Sequence, residues 1–239
     1  NGDYQQINTN ILQIENEYYG LIRPKRTTER GERPTTALSR RGVGYVELRC
    51  VDLNPFQPSG IDVTSAHFLE VFALHCLLSD SPPFTGVEYA GLPHNQQDMV
   101  EHGRDPELRL QVGGESVLFR EQAERLLDEL AELAPLLDAA HGTLAYSQAI
   151  AQESRKLHDP GLTYSATIVR ELREHDCSFF EFAQQTARKH GEHFRQRPLP
   201  QARMDELAAV AAASHQDQMA IEAADTLAFP DFLVAYFRD

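Results

Sequence analysis

Apolar and polar residues alternate with the period of a strand from Val43 to Cys50. Val43, Tyr45, Glu47 and Arg49 fall on one face, and Val46, Leu48 and Cys50 on the other. The second face is small and apolar, which predicts a cover of helices and leaves Glu47 and Arg49 projecting together, roughly 6–7 Å apart along the strand. Taken alone, such a pair fits a solvated strand face as well as a reaction chamber. The same period from Ile11 to Tyr19 places Gln13, Glu15, Glu17 and Tyr19 on one face, opposite Leu12, Ile14, Asn16 and Tyr18. Arg23, Lys25 and Arg26 follow, interrupted by Pro24, which has no N–H to donate and suits an edge or strand end.

From Thr27 to Gly42 the chain reads as a polar connection, and Pro55, Pro58 and Gly60 close the strand region. The period then lengthens. Phe68, Leu69, Phe72, Leu74 and Leu78 mark a helix beginning near Asp62 and stopped by Ser79–Phe84, and a short helix over 94–103 ends at Gly103. Leu126, Leu127, Leu130, Leu133 and Leu137 predict an amphipathic helix over 119–141 with Gly142 as its C-cap, kinked or divided by Pro135. Further helices are expected at about 143–157, 163–175, 178–195 and 200–225. No internal repeat or low-complexity tract is present. The fold class is therefore α+β, with a strand segment over 1–57 and a helical region over 58–239.

Composition narrows the function classes. The chain has 41% hydrophobic and 24% charged residues, the balance of a soluble globular protein rather than a disordered one. Its 36 acidic and 22 basic residues give a net charge of −14, which argues against nonspecific binding to nucleic acid or to an anionic membrane surface. Cys50, Cys76 and Cys177 are widely spaced and odd in number, so they form neither a disulfide framework nor a zinc motif. Cys50 and Cys76 read as small core residues, and Cys177 as lying near a surface turn. A cytoplasmic, reducing location fits, with no apolar run of membrane-spanning length and no signal peptide.

Candidate chemistry gathers at the front of the chain. Carboxylates suit hard divalent cations and Arg and Lys suit phosphate oxygens, so Glu15, Glu17 and Glu47 beside Arg23, Lys25, Arg26 and Arg49 fit a metal–nucleotide site; they also fit an amphipathic hairpin of mixed surface charge. His190 and His193 lie three apart on a predicted helix, yet no carboxylate or cysteine completes a zinc set with them. No phosphate-binding G-x-x-x-x-G-K-[ST] loop, G-x-S-x-G elbow or H-E-x-x-H helix occurs. Any nucleotide would have to sit on a sheet.

The ordered runs Asn8–Tyr19, Ile22-Arg-Pro-Lys-Arg26, Tyr45-Val-Glu-Leu-Arg49 and Asp52-Leu-Asn-Pro-Phe56 resemble the C-terminal half of the proteobacterial glutamate–cysteine ligases. Weaker similarity continues through Gly103–Leu108, Leu162–Ala166 and Glu222–Asp225. The resemblance implies strands of a glutamine-synthetase-like active-site sheet and ATP with Mg2+ as cofactors. It also implies an activity joining the γ-carboxyl of L-glutamate to the amine of L-cysteine. Residue by residue, it implies Glu47 as a metal ligand, Arg49 as the catalytic contact to the transferring phosphoryl group and Tyr19 in the cysteine pocket; Arg23 and Lys25 are expected as phosphate contacts from their own charge. Read from the residues alone, Tyr19 fits an ordinary sheet aromatic too, and Arg23, Lys25 and Arg26 fit pairing with Glu15 and Glu17. A related carboxylate–amine ligase with another amine, or a helical binding module, stands as the rival reading. Family members are about twice as long, and Asn1-Gly-Asp-Tyr4 reads as the middle of a domain, so a fragment lacking the N-terminal half of the enzyme is expected.

Overall fold

In this computed structural model, the structure describes residues 4–29 and 31–238; Asn1, Gly2 and Asp3, on which the mid-domain reading rests, lie outside the described residues. The element order among them is β1 (Ile22–Lys25), α1 (Pro34–Arg41), β2 (Tyr45–Leu48), α2 (Val63–Leu78), α3 (Gly86–His102), β3 (Arg109–Val112), β4 (Glu115–Leu118), α4 (Phe119–His141), α5 (Ala145–His158), α6 (Tyr164–Glu174), α7 (Phe179–Arg195), α8 (Gln201–Ala224) and α9 (Phe229–Tyr236). The class is α+β, as predicted. Two compact units form, one from residues through Asp52 together with those from Arg197 onward, the other from Leu53–Gln196. The strand segment thus shares its unit with α8 and α9, which the division at residue 57 assigns to the helical region. Among the described residues no helix is long and apolar enough to cross a membrane.

In the first unit, β1 and β2 form a two-stranded antiparallel sheet with Arg23 opposite Glu47 and Lys25 opposite Tyr45. Directly opposed residues share a face, so Arg23, Lys25, Tyr45 and Glu47 project together, as the alternation predicts for β2. Pro24 is tolerated because each strand of a two-stranded sheet is an edge. The reverse face corrects an expectation. Ile22 and Val46 remain 53% and 56% exposed, so no cover of helices lies over it, and Cys50 is exposed rather than a core residue.

Ile11–Tyr19 is not a strand. It forms an irregular segment with one 3-10 turn at Glu15–Glu17. Its amide side chains bond to local backbone, offering the chain an alternative to a sheet ladder. Gln13 Oε1 accepts from the N–H groups of Ile7 and Asn8 at 2.8 and 3.1 Å, and Asn8 Nδ2 donates to the Gln13 carbonyl at 2.8 Å. The connection expected over Thr27–Gly42 contains α1, which starts with Pro34 at the first helical position, where a missing N–H costs nothing.

The second unit holds the main core. Val71 of α2, Leu130 and Ala134 of α4, and Tyr146 and Ile150 of α5 are buried together, with Phe68, Phe72, Leu126, Leu127, Leu133 and Leu137 packed against them. The stripe on α4 is the predicted one, and burying each large side chain in it contributes roughly 1.5–3 kcal/mol. Pro135 does not divide α4. It lies on the exposed side, between the fully buried Ala134 and the buried Asp138.

Helix α2 begins where predicted, capped by Asp62, whose side chain accepts from the Ser65 N–H at 2.7 Å, the Tyr164 hydroxyl at 3.1 Å and Asn54 Nδ2 at 3.3 Å. Asn54 is buried and so shapes the chain's departure from the strand region. Cys76, expected in the core, is exposed on α2. Helix α3 starts earlier than the 94–103 reading, from a capping box of Thr85 and Glu88. The β3–β4 hairpin was not anticipated. Its turn is Gly113-Gly114, with φ of 61° and 85°, the left-handed region that a two-residue hairpin turn requires and glycine enters freely.

Candidate functional site

The predicted pair Glu47 and Arg49 is brought together on one side of β2. Arg49 Nε stands 3.1 Å from Glu47 Oε1, and Arg49 Nη2 donates to Oε2 at 3.1 Å, a two-pronged grip that only a guanidinium makes. Arg49 lies one residue beyond β2, and its N–H donates to the Leu21 carbonyl at 2.8 Å, which extends the strand pairing far enough to fix its direction. Lys25 Nζ reaches the same carboxylate, 3.4 Å from Oε2. The Arg49 hydrogen bonds hold the Glu47 carboxyl below its ordinary value against the opposing effect of burial, and the charge of Arg49 and the contact with Lys25 add to the lowering. The carboxylate in turn raises the Arg49 guanidinium above its ordinary value.

Tyr19 completes the cluster. The Arg49 guanidinium carbon lies 4.5 Å from the centroid of the Tyr19 ring, a cation–π contact. Tyr19 is 80% exposed, so most of the ring is open to a ligand, while its hydroxyl also interacts with Arg49. Four predicted residues thus meet: Tyr19, Lys25, Glu47 and Arg49.

Arg23, on the same sheet face, is directed elsewhere. Its Nη2 donates to the Glu15 carbonyl at 3.2 Å, and its Nη1 to the carbonyls of Tyr18 and Asn16 at 3.4 and 3.5 Å. Glu15 and Glu17 do not join the cluster either. Glu17 accepts from the Gln13 N–H at 2.7 Å. Glu15 accepts from Arg33 Nε at 2.7 Å and from the Thr35 N–H and hydroxyl at 3.0 and 2.7 Å, and it pairs also with Arg33 Nη2. Burial pushes the Glu15 carboxyl up, but these bonds outweigh it and leave the group below its ordinary value.

Beside this arrangement the same unit forms an open cleft of about 1100 Å³. Glu15, Arg23, Lys25 and Arg33 line one side, and Phe229, Phe232 and Tyr236 of α9 another. The α9 rings stack at 6.4 Å (Phe229 on Phe232) and 5.7 Å (Phe232 on Tyr236). Burial raises the Tyr236 hydroxyl, and the Glu15 carboxylate raises it further. Lys25 is common to the cleft and to the Glu47 cluster. The sequence reading passed over Arg33, Thr35 and α9. The i, i+3, i+7 spacing of Phe229, Phe232 and Tyr236 was the available signal for the helix.

Among the described residues no three His, Cys, Asp or Glu side chains converge as a metal set. His190 bonds the Pro55 carbonyl through Nε2 at 2.8 Å, and His193 packs its ring against Phe194 at 5.5 Å. Glu47 is the carboxylate of the cluster, a single hard oxygen donor group set among cations. Chemically, the cluster can grip an anion between Arg49 and Lys25 and present an aromatic hydroxyl beside it.

Comparison with known proteins gives this arrangement a context. A family model described as glutamate-cysteine ligase matches residues 1–99. The glutamate–cysteine ligase of Alcanivorax borkumensis is 43% identical over 239 residues, covering 100% of this chain and 46% of that protein. That of Pseudomonas paraeruginosa is 45% identical over 238 residues, covering 98% of this chain and 44% of its own length. The crystal structure of the glutamate–cysteine ligase of Francisella tularensis in complex with AMP superposes with a TM-score of 0.88 at 33% identity, covering 98% of this chain and 46% of that one. The chain spans a little under half the length of the relatives it matches.

Proposed function

We propose that the chain is part of a member of the glutamate–cysteine ligase family, to whose members it is 43–45% identical over nearly its whole length, and that it serves the ATP-dependent joining of the γ-carboxyl of L-glutamate to the amine of L-cysteine, the first step of glutathione synthesis. The observation that carries this reading to particular residues is the two-pronged Arg49–Glu47 grip with Tyr19 stacked on the same guanidinium. Phosphorylating a carboxylate with ATP brings two anions together, and the transfer needs fixed positive charge where the phosphoryl oxygens pass. Arg49, immobilised by Glu47 on one edge and Tyr19 on one face, supplies that charge without having to reorganise. Lys25 offers a second cation on the same face.

The cysteine amine attacks the carbonyl carbon of the γ-glutamyl phosphate so formed, making the amide bond as the C–O bond to phosphate breaks and inorganic phosphate and a proton leave. Tyr19 presents an apolar ring and a hydrogen-bonding hydroxyl, the combination that packs against and orients a small amino acid. Mg2+ suits this donor chemistry, since it is commonly held by one or two carboxylates plus phosphate oxygens and water, and Glu47 is the residue of this chain that would hold it. When bound, the ion neutralises phosphate charge. Further carboxylates and the rest of the substrate pockets would come from the part of the relatives' length that this chain does not match. A role in the cytoplasm accords with this activity.

The test is substrate-dependent ADP release by the full-length protein containing this stretch. Release is expected to require glutamate and to be far faster with cysteine than with other small amines. Comparable rates with several amines would point instead to a different carboxylate–amine ligase. Folded Glu47→Gln and Arg49→Ala variants with undiminished activity would move the site elsewhere.

A further inference from the structure

We infer that Glu15 is a positioning residue for Tyr19: through a carboxylate clasp on the start of α1 it fixes the backbone segment from which the ring reaches Arg49. The inference rests on the reading of Tyr19 as a contact to the amine substrate.

Tyr19 has little packing of its own. It is 80% exposed, and its side chain meets Arg49. Exposed contacts to a single guanidinium hold a ring weakly, so the direction of the side chain depends on the backbone that precedes it. That backbone is fastened from two sides. On one side the Glu15 carboxylate accepts from Arg33 Nε and from the Thr35 N–H and hydroxyl. Helix α1 has no cap of its own, because its N-cap residue is Arg33, whose side chain makes no capping bond. Glu15, 20 residues earlier, satisfies the free N–H of Thr35 and brings negative charge to the positive end of the helix. The helix and the turn are therefore held to each other by one carboxylate.

On the other side Arg23 of β1 binds the carbonyls of Glu15, Asn16 and Tyr18. Within the turn the Tyr18 N–H closes on the Glu15 carbonyl at 3.2 Å. The carbonyls of Glu15, Asn16 and Tyr18 are thus referred to β1 and the Glu15 side chain to the start of α1, and β1 is paired to the strand that carries Glu47. This gives Arg23 a part as well: its charge is spent on orienting the Tyr19 segment.

The experiment uses the full-length protein and measures kcat and the KM values for cysteine, glutamate and ATP in Glu15→Gln, Tyr19→Ala and the double variant. Glu15→Gln weakens the clasp while leaving Tyr19 and Arg49 in place. It is expected to raise the cysteine KM about five- to tenfold, with kcat and the other two KM values within about twofold. Tyr19→Ala is expected to raise the cysteine KM on its own, and adding Glu15→Gln to it is expected to change little more. A cysteine KM unmoved by Glu15→Gln but raised by Tyr19→Ala overturns the positioning role and leaves the reading of Tyr19 standing, as does full additivity in the double variant. A cysteine KM unmoved by Tyr19→Ala removes the reading itself. An equal decline of all parameters in Glu15→Gln marks general destabilisation and also overturns the role. If Glu15→Gln does not fold, Thr35→Val, which removes only the hydroxyl contact, is measured in its place and is expected to raise the cysteine KM selectively by a smaller factor.

Discussion

Arg49 holds Glu47 through two contacts of 3.1 Å while its guanidinium carbon lies over the Tyr19 ring, 4.5 Å from the ring centre. One guanidinium thus uses an edge and a face at once, which orients it in three dimensions from a strand end that is otherwise exposed. An ammonium group cannot do this, having neither a planar fork nor a face to stack.

Arg49→Lys keeps the charge and loses both contacts. We expect the full-length protein carrying it to lose on the order of 10²–10³ in kcat, the range found when one preorganised donor to a developing charge is removed. Glu47→Gln is expected to fall similarly in activity and to require more Mg2+. Lys25→Ala, lacking a cation 3.4 Å from the same carboxylate, should cost less, on the order of tenfold, expressed mainly as a raised KM for ATP. Steady-state ADP release at several Mg2+ concentrations checks all three, with circular dichroism confirming that each variant is folded. An Arg49→Lys variant as fast as wild type would separate the two-pronged contact from catalysis.

The Glu47–Arg49 pair was legible because strand periodicity fixes the facing of alternate residues once the strand itself is recognised. The same rule failed at Ile11–Tyr19, where alternation was real but Asn8, Gln13 and Glu17 had local backbone groups to bond and did so. Tyr19 nevertheless reached Arg49, by way of a turn rather than a strand. Arg23 shows the opposite case: its place on the sheet face was predictable from its register with Glu47, but a long side chain chooses among acceptors, and carbonyls of the turn lay closest. Helix α1 was invisible because eight residues with Ala37 buried are too few to display a period. The Gly113-Gly114 turn was visible in the sequence and went unread because the flanking strands have four residues each.

Leu130 and Pro135 make opposing predictions for stability on one helix. Leu130 is fully buried at the contact of α2, α4 and α5, so Leu130→Ala is expected to destabilise by about 2–5 kcal/mol. Pro135 lacks an N–H for the Ala131 carbonyl and stands on the exposed side of α4. Pro135→Ala should restore that bond and stabilise by about 1–3 kcal/mol, less than the full helix-interior penalty because the helix already accommodates the ring. Urea unfolding of both variants decides the signs. A destabilising Pro135→Ala would mean that the backbone geometry fixed by the proline ring is needed for the packing of Leu130 and Ala134.

Two helices in this chain take their N-terminal caps from distant carboxylates. Glu15 serves α1, and buried Asp138 of α4 serves α5, accepting from the N–H groups of Tyr146 at 2.9 Å and Ser147 at 3.1 Å. Burial pushes the Asp138 carboxyl up, and its hydrogen bonds with Ser147 and Tyr146 more than reverse the effect. Neither α1 nor α5 has a side-chain cap from its own N-cap residue. Capping and tertiary contact are therefore one interaction here, so Asp138→Asn should lower the melting temperature and loosen α4 against α5 together, read as faster amide exchange of Tyr146 and Ser147. Unchanged exchange at those two amides would show that the carboxylate charge is not what holds the corner.

Glu32 supplies the pH dependence with the widest window. Arg41 grips it with Nη1 on Oε1 at 2.9 Å and Nη2 on Oε2 at 2.5 Å, and also bonds the Thr27 carbonyl at 3.0 Å, tying the connection after β1 to the end of α1. Hydrogen bonding from Arg41, with the Glu29 backbone second, lowers the Glu32 carboxyl from 4.5 to about 2. A carboxyl depressed in the folded state binds its proton more readily when unfolded. Its contribution to stability is therefore complete above about pH 4.5 and is lost progressively as pH falls toward about 2. The stability difference between wild type and Glu32→Gln, measured as urea midpoints across this range, should be constant above pH 5 and shrink steadily below it. A difference that stays flat down to pH 3 would mean that the Glu32–Arg41 contact is not populated in solution, and α1 would then be attached to the site through the Glu15 clasp and the Arg26–Arg41 carbonyl contact.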